Sequence, residues 1–202
     1  MRLGRVIPSL ALVLVVLALP FRTALAQSDP RAFMTTVGDE VLKIINNKQA
    51  SEAQRKQQFT GLIENAFDVP RIARFVLGRY WRTASDAEKQ QFQQAFETYM
   101  ISVYWSRFSS YNGQGFKVTN TQNQGGGNVA VRTEITRPES GQPPVNVDWF
   151  LRQNGNGYKI EDASLEGVSQ AVTYRDEFSS IIERNGGKVS ALIDQLNQRA
   201  KG

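Results

Sequence analysis

The stretch RYWRTASDAEKQQFQQAFETYMISVYWSRFSSYNG, residues 79–113, contains the point at which a long helix gives way to a sheet. The helix is predicted to begin at Ser85-Asp86-Ala87-Glu88, a capping box whose serine and glutamate side chains bond reciprocally to backbone N–H groups. Two neighbouring apolar stripes follow at helical spacing: Phe92, Phe96, Tyr99 and Val103, then Met100, Tyr104 and Phe108. At Tyr111-Asn112-Gly113 the hydrophobic period changes from about 3.6 residues to about 2, which predicts that strands follow.

Four alternating segments follow this change of period. Strands are predicted over residues 116–121, 129–135, 145–151 and 158–165. Gly125-Gly126-Gly127 is a flexible turn between the first two, and Asn154-Gly155-Asn156-Gly157 is a strong hairpin signal between the last two. Short connections between consecutive strands are typical of an antiparallel meander with one buried face.

Helical patterns lie on both sides of the predicted sheet. Asp29 is the expected N-cap of the first helix, and Ser51 opens a capping box for the second. Besides the long helix, helices are predicted over residues 29–47, 51–67, 68–78, 167–185 and 189–196. Helices, then a four-stranded antiparallel meander, then helices predict an α+β fold in which helices cover one face of the sheet.

The first 26 residues have the pattern of a secretory signal peptide. Arg2 and Arg5 precede an apolar run, and Ala24-Leu25-Ala26 provides the small-x-small pattern at which such peptides are cleaved. We expect cleavage after Ala26, a single domain over residues 27–202 and a periplasmic location. A retained membrane anchor is the alternative, which the polar sequence directly after residue 26 disfavours.

Composition excludes several classes of function. The chain has no Cys and no His, which removes disulfides, thiol nucleophiles, imidazole bases and ordinary zinc sites. Without the signal segment, the 24 basic residues fall to 21 against 19 acidic ones, and they are dispersed among the acids. A nucleic-acid-binding protein would be expected to have a clustered basic face. We therefore expect no nucleic-acid partner, no metal and no cofactor.

Acidic residues on the predicted strands are the remaining catalytic candidates, since carboxylates can act as acid and base without histidine. Glu134 and Asp148 fall on the polar alternation of their strands, so we expect them on a solvated outer face with Arg132 nearby. Asp162 shares its phase with Tyr158 and Ile160 and is expected to point inward. An isomerase or hydrolase that uses Asp162 is therefore the alternative to a binding protein.

The aromatic residues of the long helix have two possible explanations. They can form a core beneath the sheet, or they can line a cavity, because tyrosines suit a boundary between an apolar wall and a polar mouth. Ligand pockets are mostly apolar with a few polar groups that orient the ligand. The pattern is compatible with both explanations.

Two blocks of sequence resemble a known family. Residues 67–84, FDVPRIARFVLGRYWRTA, and residues 167–178, GVSQAVTYRDEF, are similar to the hallmarks of the MlaC-like toluene-tolerance family. The first contains the Leu-Gly-Arg-x-Trp-Arg turn, and the second contains the Tyr-Arg-x-x-Phe signature of the C-terminal helix. The resemblance covers residues 29–201. The Gln-, Asn- and Gly-rich loops are closer to the branch that accompanies hopanoid biosynthesis.

The resemblance implies a non-enzymatic periplasmic lipid carrier with an NTF2-like cavity between sheet and helices. Such a carrier is expected to be a monomer that exchanges phospholipid or hopanoid with an inner-membrane transporter complex and an outer-membrane complex. The expected wall residues are Phe75, Tyr80, Tyr99, Val103, Tyr104, Val147, Trp149, Tyr158, Val172 and Phe178. The expected mouth residues, where a guanidinium can pair with a phosphate, are Arg79, Arg82 and Arg175.

Alternatives remain open for each of these expectations. Every wall residue can instead be plain core, and the three arginines can form salt bridges to Asp68, Asp176 or Glu177. If the ligand is a hopanoid, the phosphate argument does not apply and the tyrosine hydroxyls matter more. A structural adaptor with a filled cavity is a third possible function.

Overall fold

The structure, a computed structural model, describes residues 29–109, 113, 115–136, 141 and 143–201. The helices are α1 Pro30–Asn46, α2 Glu52–Ala66, α3 Val69–Leu77, a 3₁₀ helix Gly78–Arg82, α4 Asp86–Ser109, α5 Gln170–Arg184 and α6 Val189–Arg199. The strands are β1 Gly115–Gly125, β2 Asn128–Thr136, β3 Val145–Asn154, β4 Gly157–Leu165 and β5 Val168–Ser169. The predicted signal peptide lies outside the described residues. None of the helices just given is long and apolar enough to cross a membrane.

The strands form one antiparallel sheet in the order β1-β2-β3-β4-β5, so the predicted meander is confirmed. The short fifth strand was not predicted. It arises because Glu166 and Gly167 both have positive φ, 47° and 85°, and reverse the chain so that Leu165 pairs with Val168. Type I′ hairpin turns have this backbone and usually contain Asn-Gly or Asp-Gly. The predicted helix from Gly167 therefore begins three residues later, at Gln170.

The helix starts follow the predicted caps. The Asp29 carboxylate accepts a hydrogen bond from the backbone N–H of Arg31. Ser51 forms the full capping box with Gln54. At α4, the Glu88 backbone N–H donates to the Ser85 hydroxyl, and the Ser85 backbone N–H donates to the Glu88 carboxylate. These local bonds satisfy N–H groups that a helix leaves free at its first turn.

Two apolar clusters hold the layers together. The larger lies among the helices, where Phe92 and Phe96 of α4 contact Phe178 of α5 with ring centroids 6.1 and 6.0 Å apart. The smaller lies between α1 and the inner face of the sheet and contains Met34, Val131 and other buried residues. The site described next adjoins this second cluster.

Candidate functional site

A cavity of about 320 Å³ lies between α1, the C-terminal part of α4 and the inner face of the sheet. Its lining residues are Met34, Val37, Gly38, Val41, Leu42, Tyr104, Arg107, Phe108, Gly115, Phe116, Ile135, Val145, Val147, Trp149, Ala163, Leu165 and Gln170. Most of these side chains are apolar. The volume lies within the range of small-molecule sites, roughly 300–1,000 Å³, and the mostly apolar lining is also typical of such sites.

Helix α1 forms one wall through the spacing Met34, Val37, Gly38 and Val41, which places these residues on one helix face. Gly38 is buried, and a Cβ atom added to it would lie 2.3 Å from the Phe116 ring. The ring of Phe116 therefore rests directly on the α1 backbone. The size of residue 38 controls how closely α1 and β1 approach on this side of the cavity.

Strand β3 forms the opposite wall with the alternating residues Val145, Val147 and Trp149. The Trp149 indole N–H donates to the Thr133 hydroxyl at 2.9 Å, and that hydroxyl donates to the Val147 carbonyl at 3.3 Å. Thr133 is fully buried, so these bonds satisfy polar groups that would otherwise be costly. The wall consequently offers the cavity an apolar surface with a fixed indole.

Strand β4 changes the face that its side chains occupy because it contains a β-bulge. Leu151 pairs with Ile160, and Phe150 pairs with Asp162, which leaves Glu161 as an extra residue. Beyond the bulge, Ala163 lines the cavity. The prediction that Asp162 points inward is wrong, because it assumed an unbroken alternation from Ile160.

Asp162 instead anchors the start of α5. One carboxylate oxygen accepts from the backbone N–H groups of Ala163 and Ala171 at 2.8 and 2.9 Å. The other accepts from the Ser169 hydroxyl at 2.5 Å. The three bonds occupy the carboxylate, and the two from Ser169 and Ala171 connect β4 to the start of α5.

Glu134 and Asp148 lie on the outer face of the sheet, as predicted, because the residues on either side of each of them face inward. Arg132 donates two hydrogen bonds to Asp148, at 2.7 and 2.8 Å, and they hold the pKa of that carboxyl below its usual range. Glu161 pairs with Arg152 and, at 2.6 Å, with Arg71. Among the described residues, no group of three or more acidic side chains is arranged to hold a metal ion.

Besides Trp149, whose indole N–H is already bonded, three lining residues have polar side chains: Tyr104, Arg107 and Gln170. Burial raises the pKa of the Tyr104 hydroxyl, so it stays protonated and neutral at physiological pH. Arg107 is exposed and is the one lining residue that carries a permanent charge. The cavity thus combines an apolar interior with a cation at its edge.

Of the ten predicted wall residues, the structure brings three together in this lining: Tyr104, Val147 and Trp149. Phe178 is fully buried in the helical core, and Tyr99 packs its ring edge against Tyr174 at 6.1 Å. Both residues face other helices rather than the cavity, and helical spacing alone does not distinguish these two positions.

The remaining predicted wall residues lie elsewhere. Tyr158 is buried beside Phe33 of α1, with ring centroids 6.2 Å apart. Val103 is half-buried on α4, outside the lining. Tyr80 is half-buried in the 3₁₀ helix, where its hydroxyl accepts from Arg79 at 2.9 Å. Two others, Phe75 and Val172, are exposed on the helical side of the molecule.

The three predicted mouth arginines do not line the cavity. Arg79 pairs with Glu183 at 2.6 Å, and the Arg175 guanidinium lies 5.1 Å from the centre of the Phe75 ring. Arg175 also lies 3.5 Å from Asp176, as the salt-bridge alternative expected. Arg82 is exposed on the 3₁₀ helix. The cation at the cavity is Arg107, which follows Tyr104 by one helical turn.

The α1 wall, Arg107 and Gln170 were not among the predicted site residues. A buried glycine within the apolar stripe of α1 was the available signal for the first, since a mid-helix glycine costs stability unless something packs against it. For Arg107, the signal was its position one turn after Tyr104 at the end of an aromatic stripe.

Comparisons with known proteins agree with this architecture. Residues 35–198 match the MlaC protein family. The chain is 22% identical over 187 residues to the toluene tolerance protein ttg2D of Pseudomonas putida, covering 91% of this chain and 86% of that protein. It is 21% identical over 185 residues to the intermembrane phospholipid transport system binding protein MlaC of Haemophilus influenzae, covering 89% and 86%.

A solved structure also has the same fold. The phospholipid-binding protein from Ralstonia solanacearum, determined in complex with a phospholipid, superposes with a TM-score of 0.74 at 24% identity. The match covers 86% of this chain and 98% of that one. At this identity the likeness establishes the fold.

Proposed function

The chain belongs to the MlaC family, and from this premise we propose that it is a periplasmic carrier that holds the acyl chains of a phospholipid in the cavity between α1, α4 and the sheet. The observation that carries the proposal is the cavity itself, with an apolar lining and a cation at its edge. One relative is named for intermembrane phospholipid transport, and the structural neighbour was determined with a phospholipid bound.

The edge of the cavity supports a phospholipid rather than a hopanoid as ligand. Arg107 can donate hydrogen bonds to a phosphodiester, and charge-assisted bonds of this kind are stronger than neutral ones. The neutral Tyr104 hydroxyl lines the same cavity and can donate a further bond. A hopanoid without a phosphate would engage the tyrosine hydroxyl alone.

The carrier can bind lipid reversibly because the lipid comes from a membrane and not from water. Removing a methylene from water contributes about 0.8 kcal/mol, but a lipid taken from a membrane moves from one apolar medium to another. The net transfer free energy is then small enough for loading and release. Asp148 and Glu161 are engaged in ion pairs and Asp162 in a helix cap, so no observation on these three residues favours the enzyme alternative.

The finer parts of the proposal follow the family. They are an NTF2-like cavity, cleavage of a signal peptide after Ala26, a monomeric state, and exchange of lipid with an inner-membrane transporter complex and an outer-membrane complex. Signal cleavage would leave residues 27–202 as the carrier. The absence of Cys from the sequence suits a protein that folds without disulfides in an oxidising compartment.

The test is to isolate the protein from the periplasm without detergent and to identify the lipid that solvent extraction releases from it. We expect phospholipid, and we expect Arg107→Gln to hold less of it than Lys117→Gln, a matched loss of charge on β1. Extraction of hopanoid alone would contradict the phospholipid assignment. Protein that stays free of lipid after incubation with liposomes would overturn the carrier function.

A further inference from the structure

A line of exposed apolar side chains leads from the cavity rim across the helical side of the molecule. We define the rim strip as Leu165, Val168, Val172 and Phe75, whose exposed fractions are 41, 59, 37 and 44%. Within the described residues these are four of the five large hydrophobic residues that are exposed. Single exposed apolar residues need no explanation, but a contiguous set marks an interaction surface.

Strand pairing, helical spacing and one cation–π contact relate the four residues of the strip to one another. Leu165 lines the cavity and pairs with Val168 across the β4–β5 hairpin. Val172 lies in the first turn of α5, directly after this hairpin, and Arg175 follows it by one helical turn. The Arg175 guanidinium lies over the ring of Phe75, which belongs to α3. The hydrocarbon part and guanidinium of Arg175 therefore lie between Val172 on α5 and the ring of Phe75 on α3, and they connect the two parts of the strip.

On its α3 side, the strip is bordered by positive charge. The segment Val69–Arg82, which comprises α3 and the 3₁₀ helix, carries four arginines and no acidic residue. Arg71 and Arg79 pair with Glu161 and Glu183. Arg74 and Arg82 are exposed, and no carboxylate of the described chain lies within salt-bridge distance of either. Free guanidinium groups beside apolar side chains complement an anionic surface that has an apolar layer beneath it.

We propose that the rim strip docks the protein on an anionic lipid bilayer, with the cavity rim against the membrane. Phe75, Val168 and Val172 enter the interface, while Arg74 and Arg82 contact anionic headgroups. The proposal rests on the carrier function. A bilayer fits the surface better than a protein partner does, because the strip begins at the cavity itself, where Leu165 and its partner Val168 offer apolar contact to an acyl chain that leaves the cavity.

The experiment measures co-sedimentation of the lipid-loaded protein, isolated from the periplasm, with vesicles. One set contains phosphatidylcholine and phosphatidylglycerol, and the other contains phosphatidylcholine alone. We expect binding to the anionic set that weakens as salt screens the charges. Phe75→Ala should weaken it by about fivefold to tenfold, and Arg74→Gln by about fivefold.

The matched controls are Phe150→Ala and Lys117→Gln. Phe150 is a similarly exposed phenylalanine, 38% exposed, on β3 between Ala130 and Asp162 of the neighbouring strands. Lys117 is an exposed cation on β1, at the other edge of the sheet. Both control variants should bind vesicles as the unmodified protein does.

Three results would overturn the docking proposal: equal binding to both vesicle sets, equal losses in Phe75→Ala and Phe150→Ala, or binding only when a membrane protein is present in the vesicles. Native mass spectrometry of each variant separates this outcome from a failure of the carrier function. Lipid-loaded protein that does not bind vesicles would contradict only the docking proposal. Protein that never holds lipid would contradict the carrier function as well.

Discussion

The two ends of α4 present similar aromatic residues to different surroundings. Near the N-terminal end, Phe92 and Phe96 are fully buried, stack on each other at 5.9 Å and meet Phe178 edge-on. Near the C-terminal end, Tyr104 and Phe108 stack at 6.4 Å but face the cavity. The difference lies in the opposing layer. A helix interdigitates with the first pair, whereas the sheet and α1 leave a gap beside the second.

This comparison shows what an aromatic stripe does and does not encode. Spacing on one helix places rings on a face, but the element opposite that face decides whether the rings fill a core or line a site. Substitutions in the helical core, then at the cavity wall, and then on the strands that connect them test this difference.

Phe96→Ala should have the largest effect on stability. The ring is fully buried and contacts Phe92, Tyr174 and Phe178, so its removal leaves a void in the helical core. We expect the free energy of unfolding to fall by about 3–5 kcal/mol, measured by urea denaturation. Lipid occupancy of the folded fraction should be unchanged, and a selective loss of lipid would contradict the separation of the two ends.

Gly38→Ala should destabilise the protein by about 1–3 kcal/mol, because the new methyl group overlaps the Phe116 ring and forces it to move. Gly61→Ala is the matched control. It is also a helical glycine, but an added Cβ would meet nothing within 4 Å. The control should be neutral or stabilising by up to about 1 kcal/mol. Equal effects of the two variants in urea denaturation would show that α1 does not pack tightly against β1.

Asp162→Asn should lower the free energy of unfolding by about 1–2 kcal/mol, since the amide cannot accept all three bonds, two of which hold the start of α5. Lipid carriage should survive, because the side chain lies outside the cavity lining. Phospholipid transfer between donor and acceptor vesicles is the measurement. A loss of function by orders of magnitude in folded protein would revive the enzyme alternative.

Asp148→Asn should have the smallest effect. Hydrogen bonds from Arg132 lower the pKa of the Asp148 carboxyl in the folded protein, so the pair stabilises the fold above the ordinary pKa of an aspartate. That stabilisation is lost as pH falls through the lowered value. In denaturation curves at several pH values, the variant should approach the unmodified protein in acid, and a gap that widens in acid would contradict this sign. The effect is small because half-exposed ion pairs contribute little.

The sequence predicted those features that depend on neighbouring residues. The caps at Asp29, Ser51 and Ser85 and the hairpin at Asn154 are local signals, and each was found where it was expected. The turn at Glu166-Gly167 was missed because glutamate rarely adopts positive φ.

The cavity was harder to predict because it depends on contacts between distant segments. The bulge at Glu161 exchanges the faces of β4, so Ala163 lines the cavity where the alternation had indicated Asp162. The α1 wall exists because Phe116, far along the chain, rests on Gly38. Neither the bulge nor the contact between Phe116 and Gly38 can be read from the hydrophobic periodicity of a single segment.

The most direct test of the central claim is native mass spectrometry of two variants, isolated from the periplasm, in which phenylalanine replaces an alanine. Ala163→Phe places a ring in the cavity, whereas Ala130→Phe adds the same ring to the outer face of β2. We predict that Ala163→Phe loses its bound phospholipid and that Ala130→Phe retains it, with both folded by circular dichroism. Equal lipid occupancy in the two variants would contradict the assignment of this cavity as the lipid site.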